Sequence, residues 1–285
     1  MEKPRLALTH AGHFHADDVF SAALLREIWP DLEIHRVFEV PDGFDGLAFD
    51  IGGGPFDHHG PDRQCRENGL PYAAFGLLWR EFGEELVGAE QAKWIDEHFI
   101  QPLDKDDNFG TGDSLADAIG GFNPVWDSAA DPDARFWQAE AFAAQILKNR
   151  LEGARAVNRA GAVVDKALSR MKDGIVVLPR FAPWKNRLRQ SEAKLVVYPS
   201  QRGGFNAQGV PIPDDPQHRL RCSFPERWRG LRAPQLERVS GIHGLRFCHV
   251  SGFLVSTNTL DAALSACRAA LAEAADSKAK ESDQK

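Results

Sequence analysis

Apolar residues recur along this chain with two different periods, and the changes from one to the other mark out its elements. Leu6-Ala7-Leu8-Thr9 is a short apolar run that ends in His10. After a glycine-containing turn, Val19, Phe20, Ala23, Leu24 and Ile28 return at helical spacing. Residues Glu33 to Phe38 alternate as a strand does, Leu47-Ala48-Phe49-Asp50-Ile51 reads as another strand, and Gly52-Gly53-Gly54-Pro55 halts it. The order strand, helix, strand predicts a parallel α/β sheet, in which ligands gather beyond the carboxyl ends of the strands. His10 and Asp50 stand at two such ends.

Further on, residues 73–82, 90–103 and 114–120 read as helices, and the polar stretch from Asp127 to Asp133 breaks the pattern. A helical pattern from Phe136 to about Met171 is long enough to bridge two lobes. Beyond it come strands at Ile175–Leu178, Leu195–Tyr198 and Phe247–Val250, then a helix from Thr259 to Ala275. Residues after Asp276 are charged and poor in apolar side chains, so fraying is expected there. The 285 residues suit two domains at roughly 150 residues each. The expected division is 1–165, with a parallel sheet, and 166–285, a smaller mixed α/β lobe with a charged C-terminal tail.

With 43% hydrophobic and 26% charged residues, the composition argues against a disordered, collagen-like or disulfide-scaffold chain. No apolar run approaches the ~20 residues that span a bilayer. Met1-Glu2-Lys3-Pro4-Arg5 leads into a strand rather than a secretory apolar region, so a cytoplasmic location and no membrane partner are expected. Cys65, Cys222, Cys248 and Cys267 form no Cys-x-x-Cys pair and are expected to be reduced thiols. The net charge of −7 hides an asymmetry: residues 1–149 hold 11 basic against 28 acidic side chains, and residues 150–250 hold 19 against 8. The first half suits divalent cations, the second a polyanion.

Six of the ten histidines lie within the first 59 residues: His10, His13, His15, His35, His58 and His59. Most of them neighbour aspartates, in Thr9-His10-Ala11-Gly12-His13-Phe14-His15-Ala16-Asp17-Asp18, in Asp50-Ile51-Gly52-Gly53 and in Phe56-Asp57-His58-His59. Mixed imidazole and carboxylate ligands suit ions such as Mn²⁺, and a two-ion site ~3.5–4 Å across needs a bridging carboxylate. Gly52-Gly53-Gly54 lacks the Lys-Ser/Thr of a phosphate-binding loop and reads as a turn. His13 fits the spacing less well than His10 and His15, and His35, in an alternating strand, reads as structural.

These segments resemble the DHH phosphoesterase superfamily, and within it the melanocyte-proliferating-gene-1 family. The likeness continues through Ala74 to Gly83, the acidic stretch Leu103-Asp104-Lys105-Asp106-Asp107-Asn108, and Pro183-Trp184-Lys185. Trp228-Arg229-Gly230-Leu231-Arg232, Gly241-Ile242-His243-Gly244 and His249-Val250-Ser251-Gly252-Phe253 extend it over nearly the whole chain. The resemblance implies a two-lobed hydrolase with two divalent metal ions, Mn²⁺ expected and Mg²⁺ the alternative, that acts as a 3′-5′ exonuclease on RNA or short oligonucleotides. It implies that one ion takes His10, His15 and Asp50, and the other Asp17, Asp50, His58 and either Asp104 or Asp107. It also places His59 toward the substrate phosphate, with Asp57 orienting a neighbouring imidazole.

In the second lobe, Lys185, Arg187, Arg189, Arg202, Arg229 and Arg232 are candidate phosphate contacts. Trp184 or Phe253 offers a stacking face. His249 and Gly252 form the turn that resembles a substrate loop. Phe253 is followed by Leu254-Val255-Ser256-Thr257-Asn258, where Gly-Gly is expected before the Asn, which motivates an alternative, a phosphomonoesterase or pyrophosphatase. A third reading, of another class, is a metal-stabilised nucleic-acid-binding protein without catalysis.

Overall fold

The computed structural model describes residues 3–61 and 63–282. It divides into two compact units, one up to Arg155 and one from Ala156 onward. The first unit opens with β1 (Leu6–His10), α1 (Ala16–Ile28), β2 (Glu33–Val37) and β3 (Leu47–Ala48). The strands form a parallel sheet in the order β2-β1-β3, with Leu8 opposite both His35 and Ala48. Asp50 ends β3 earlier than the apolar pattern suggests, because its backbone turns to a left-handed φ of 57°.

There follow α2 (Ala74–Val87), α3 (Ala89–Ile95), α4 (Gln101–Phe109), α5 (Ser114–Gly120) and α6 (Pro132–Leu168). The single helix expected over 90–103 is interrupted by a π-helical turn at Asp96–Ile100. Pro102 gives the physical reason: it has no N–H to continue the i→i−4 ladder, and α4 starts afresh with proline in its first turn. α1 is buried from Ala16 to Leu25, with Phe20, Leu24 and Leu25 fully covered. A helix apolar on nearly every side needs partners all round, and α2, α4 and α5 all pack against it. Phe136, Ala139, Ala143, Leu147 and Leu151 carry the same core along one stripe of α6.

The second unit comprises the end of α6, then β4 (Ile175–Val177), α7 (Lys185–Arg189), β5 (Leu195–Pro199), β6 (Phe205–Gly209), α8 (Gln235–Ser240), β7 (Leu245–Cys248), β8 (Leu254–Thr257) and α9 (Leu260–Ser282). The sheet order is β4-β5-β6-β8-β7, parallel only at β4-β5. One face, with Leu195, Val197, Ala207 and Val255, packs on Ala263, Ala266 and Cys267 of α9. On the other face Val196 and Tyr198 meet Val164, Trp184 and Leu188. α9 stays helical to Ser282, past the point where fraying is expected, and residues 283–285 lie outside the described ones. The four cysteines are free thiols. Among the described residues no helix is long and apolar enough to cross a membrane.

Candidate metal centre

The site is assembled at the carboxyl edge of the parallel sheet. His10 is the last residue of β1, and Asp17 and Asp18 occupy the first turn of α1. Asp18 Oδ1 accepts the His15 N–H at 2.9 Å, which fixes the entry to the helix. The loop between is braced by Asn123, whose amide both accepts from Phe14 N–H (3.1 Å) and donates to Phe14 C=O (2.8 Å). Asp18 Oδ2 then lies 3.2 Å from His10 Nε2.

Asp50 supplies the second segment. Its positive φ, costly for a non-glycine residue, is held by an N–H donated to Phe56 C=O at 3.0 Å. Its Oδ2 lies 3.2 Å from His10 Nε2, and its Oδ1 lies 3.0 Å from His58 Nε2. The turn between is closed by Asp57, whose Oδ2 accepts the Gly53 N–H at 2.6 Å and whose Oδ1 lies 2.8 Å from His59 Nδ1. The third segment is α4, where Asp107 Oδ2 lies 3.3 Å from His58 Nε2. Asp17 Oδ2 is 3.7 Å from the same nitrogen. Asp17 also accepts the N–H groups of Ala74 and Phe75 at 3.0 and 2.7 Å, so it caps the start of α2 as well as facing the cluster.

Three overlapping triads result: His10, Asp18 and Asp50; Asp50, His58 and His59; Asp17, His58 and Asp107, each with ligand atoms within 4.8 Å of one another. Burial, together with the charges of Asp50, Asp107 and Asp104, pushes the Asp17 carboxyl well above its usual range. Asp18 and Asp107 are raised too, chiefly by burial. For Asp50 burial acts in the same direction, but His10 and His58 outweigh it and hold this carboxyl below the usual range. Burial alone would depress His10, yet Asp18 and Asp50 push it up to about 10.

The buried polar atoms without an aligned hydrogen-bond partner include Asp18 Oδ2 and Asp50 Oδ1, which face His10 and His58, and both carboxylate oxygens of Asp104. Buried polar atoms are ordinarily satisfied, and a cluster of orphaned acceptors facing imidazole nitrogens fits a divalent cation of hard or borderline character.

The residues expected at the site are not all gathered. His10, Asp17, Asp50, His58 and Asp107 converge, and His59 and Asp57 adjoin them. His15 is exposed at the rim, its ring 6.3 Å from that of His10, while Asp18 joins His10 and Asp50 in one of the three triads. Asp18 was legible as the second half of the Asp17-Asp18 pair, but spacing alone did not point to it. Asp104 and Asp107 take different roles. Asp104 is buried against Arg66, Nη2 to Oδ2 2.7 Å, an ion pair that Asp96 shares at 2.6 Å. Burial pushes the Asp104 carboxyl up to about 7 against the pull of Arg66.

In the second unit Trp184 is core at 2% exposure, which corrects its reading as a stacking face: a ring sealed among Val164, Leu188 and Val196 presents no surface to a base. Lys185 is exposed on α7. Arg229, His249 and Gly252 do meet: Gly252 has φ 68°, its N–H donates to His249 C=O at 2.8 Å, and a Cβ there would stand 2.7 Å from Arg229 Nε. The rings of His249 and Phe253 lie 4.4 Å apart, and the Arg232 guanidinium lies 4.8 Å over the Phe247 ring.

Buried imidazoles and carboxylates at the open edge of a parallel sheet define an α/β protein with groups that could hold a metal ion. Residues 6–271 match the family model MYG1_exonuc, described as Uncharacterised protein family (UPF0160), and the chain belongs to this family. The MYG1 exonuclease of Homo sapiens is 30% identical over 333 residues, covering 96% of this chain and 87% of its own. That of Mus musculus is also 30% identical, over 96% and 86%. The MYG1 protein C694.04c of Schizosaccharomyces pombe is 27% identical over 92% and 96%. No solved structure matches the chain.

Proposed function

We propose that this protein is a metal-dependent phosphodiesterase built on a DHH-type first unit, an exonuclease that removes nucleotides in the 3′-5′ direction from RNA or short oligonucleotides. The observation that carries the reading is Asp50, a 4% exposed carboxylate whose two oxygens face different imidazoles, His10 at 3.2 Å and His58 at 3.0 Å. A carboxylate addressed from both sides is what a pair of cations sharing one bridge requires. The exonuclease names of the relatives from Homo sapiens and Mus musculus support the same class of reaction. A pair of divalent cations, Mn²⁺ or Mg²⁺, supplies Lewis-acid activation of water and neutralises charge on the phosphoryl oxygens.

His10, Asp18, Asp50, Asp17, His58 and Asp107 would hold those ions in place. His59 is the proton-handling group. Its side chain is 62% exposed, while Nδ1 is held by Asp57 at 2.8 Å. The Asp57 carboxyl stays ionised because the Gly53 N–H, the His59 N–H and the His59 ring outweigh its partial burial. With Nδ1 facing Asp57, Nε2 of His59 is the ring nitrogen left to hand a proton to a leaving alkoxide.

The test is an assay of the Mn²⁺-loaded full chain on end-labelled RNA, single-stranded DNA, dinucleotides and pyrophosphate. Stepwise release of mononucleotides from the 3′ end is expected. Release from pyrophosphate or a phosphomonoester alone would replace the reading with a small-phosphate hydrolase. Salt-dependent RNA binding without any release would make it a binding protein.

A further inference from the structure

The second unit contains a cavity of about 590 Å³, and the strand register explains its floor. Tyr198 of β5 lies opposite Asn206 of β6, Asn206 opposite Ser256 of β8, and Ser256 opposite Phe247 of β7. Residues directly opposite in antiparallel strands share a face, so these four side chains form one row across the sheet. The other face is apolar and covered by α9. On the row's own face, the cover from Val164, Trp184 and Leu188 reaches Val196 and Tyr198 of β5. Asn206, Ser256 and Phe247 remain half-exposed. An amide and a hydroxyl at the centre of a five-stranded sheet, beside an open aromatic ring, form a polar floor where a covered sheet would carry apolar side chains.

The walls are cationic. Arg202, Arg232 and Arg246 line the cavity, and among the described residues no acidic side chain does. Arg246 Nη1 is fixed by donation to the Gly203 carbonyl at 2.9 Å, so its charge is positioned without being neutralised by a carboxylate. Arg232 lies 4.8 Å over the Phe247 ring. Phe181 meets Tyr198 edge to face with centroids 5.3 Å apart, and the Tyr198 hydroxyl donates to Gln208 Oε1 at 2.8 Å. Guanidinium groups recognise phosphoryl oxygens through paired N–H donors, while aromatic faces and amides hold a planar base.

We propose that this cavity is a binding site for a phosphorylated nucleoside, with Arg202 and Arg232 on the phosphate, the base against Phe247, and Asn206 and Ser256 facing the edge of the base. The inference rests on the nuclease reading only in taking the nucleoside to be a unit of an oligonucleotide; the recognition chemistry itself is independent of turnover.

The test measures binding of a fluorescein-labelled five-nucleotide RNA to the full chain by anisotropy, in EDTA so that nothing is hydrolysed. AMP and inorganic tripolyphosphate serve as competitors. Two variants are compared with wild type: Arg232→Ala, at an exposed position that leaves the core intact, and Ser256→Trp, which fills the cavity without changing charge. Each is expected to weaken RNA binding by at least about tenfold, the scale of one charge-assisted contact. Displacement by AMP assigns the site to a free nucleotide as well, and displacement by unlabelled RNA alone assigns it to a unit within the strand. Wild-type affinity in Arg232→Ala, or displacement by tripolyphosphate as effective as by AMP and RNA, overturns the proposal. If both variants lose binding while the wild type with Mn²⁺ releases no nucleotide, the cavity stands and the nuclease reading falls. If the wild type releases nucleotides and both variants bind normally, the reverse holds.

Discussion

Gly76 sits directly over the Asp104 carboxylate: a Cβ on Gly76 would overlap Oδ2 of Asp104 and stand 2.7 Å from Nη2 of Arg66. The absent side chain in α2 is what lets Arg66 reach Asp104 across the helix. Glycine to alanine inside a helix ordinarily stabilises by about 0.5–1 kcal/mol. Here the sign reverses, because the buried Asp104–Arg66 ion pair fills the space, and Gly76→Ala is expected to destabilise by about 1–3 kcal/mol. Urea unfolding measures it, and an unchanged or raised midpoint would refute this packing.

The same pair separates two aspartates three positions apart on α4. Asp107→Asn is expected to weaken Mn²⁺ binding by at least about tenfold, the lower end of what even an outer partner of a metal ligand costs. Asp104→Asn should leave the affinity within a few-fold of wild type, since its carboxylate faces Arg66 at 2.7 Å. Isothermal titration of both variants decides between them, and the opposite ranking would move the ligand from Asp107 to Asp104.

Much of this arrangement was legible in the sequence, and the parts that were not have physical reasons. β1, α1 and β2 follow from apolar period alone, and His10, Asp50 and His58 follow from their places at strand ends and in the Asp57-His58-His59 run. β6 and β8 are not among the strands named from the sequence; Phe205-Asn206-Ala207-Gln208-Gly209 of β6 carries two amides and a glycine, residues that are poor in strand propensity by themselves. The choice between Asp104 and Asp107 depends on Arg66, 38 and 41 residues earlier in the chain, which no spacing rule connects to α4. Asp18 lies in the first turn of α1, which faces the sheet edge, whereas His15, the residue before the helix, lies at its rim.

Metal binding should depend on pH with a definite sign. The His10 imidazole, raised from 6.5 to about 10 by Asp18 and Asp50 once its burial is overcome, is protonated in the metal-free chain at neutral pH. That raised value contributes folding stability that is fully present below 6.5 and lost as pH rises through about 10. A cation needs the unprotonated ring, so it displaces the proton, and affinity should rise from pH 6 to pH 8. Calorimetry in two buffers of different ionisation enthalpy should show proton release. Buffer-independent heats with a flat affinity would remove His10 from the ligand set.

His59→Ala is expected to lower turnover by about a hundredfold or more, the scale of general acid-base catalysis, with Mn²⁺ content unchanged. Loss of metal together with activity would make His59 a ligand rather than the proton-handling group.

The central claim is that Asp50 joins two cations in one site, and the most direct test is Mn²⁺ content by inductively coupled plasma mass spectrometry after dialysis against Mn²⁺ and removal of free ion. Wild type should retain about two ions per chain, as a bridged pair requires, and Asp50→Asn fewer than about one. Retention of no Mn²⁺ by wild type, or the same content in both proteins, would contradict the account.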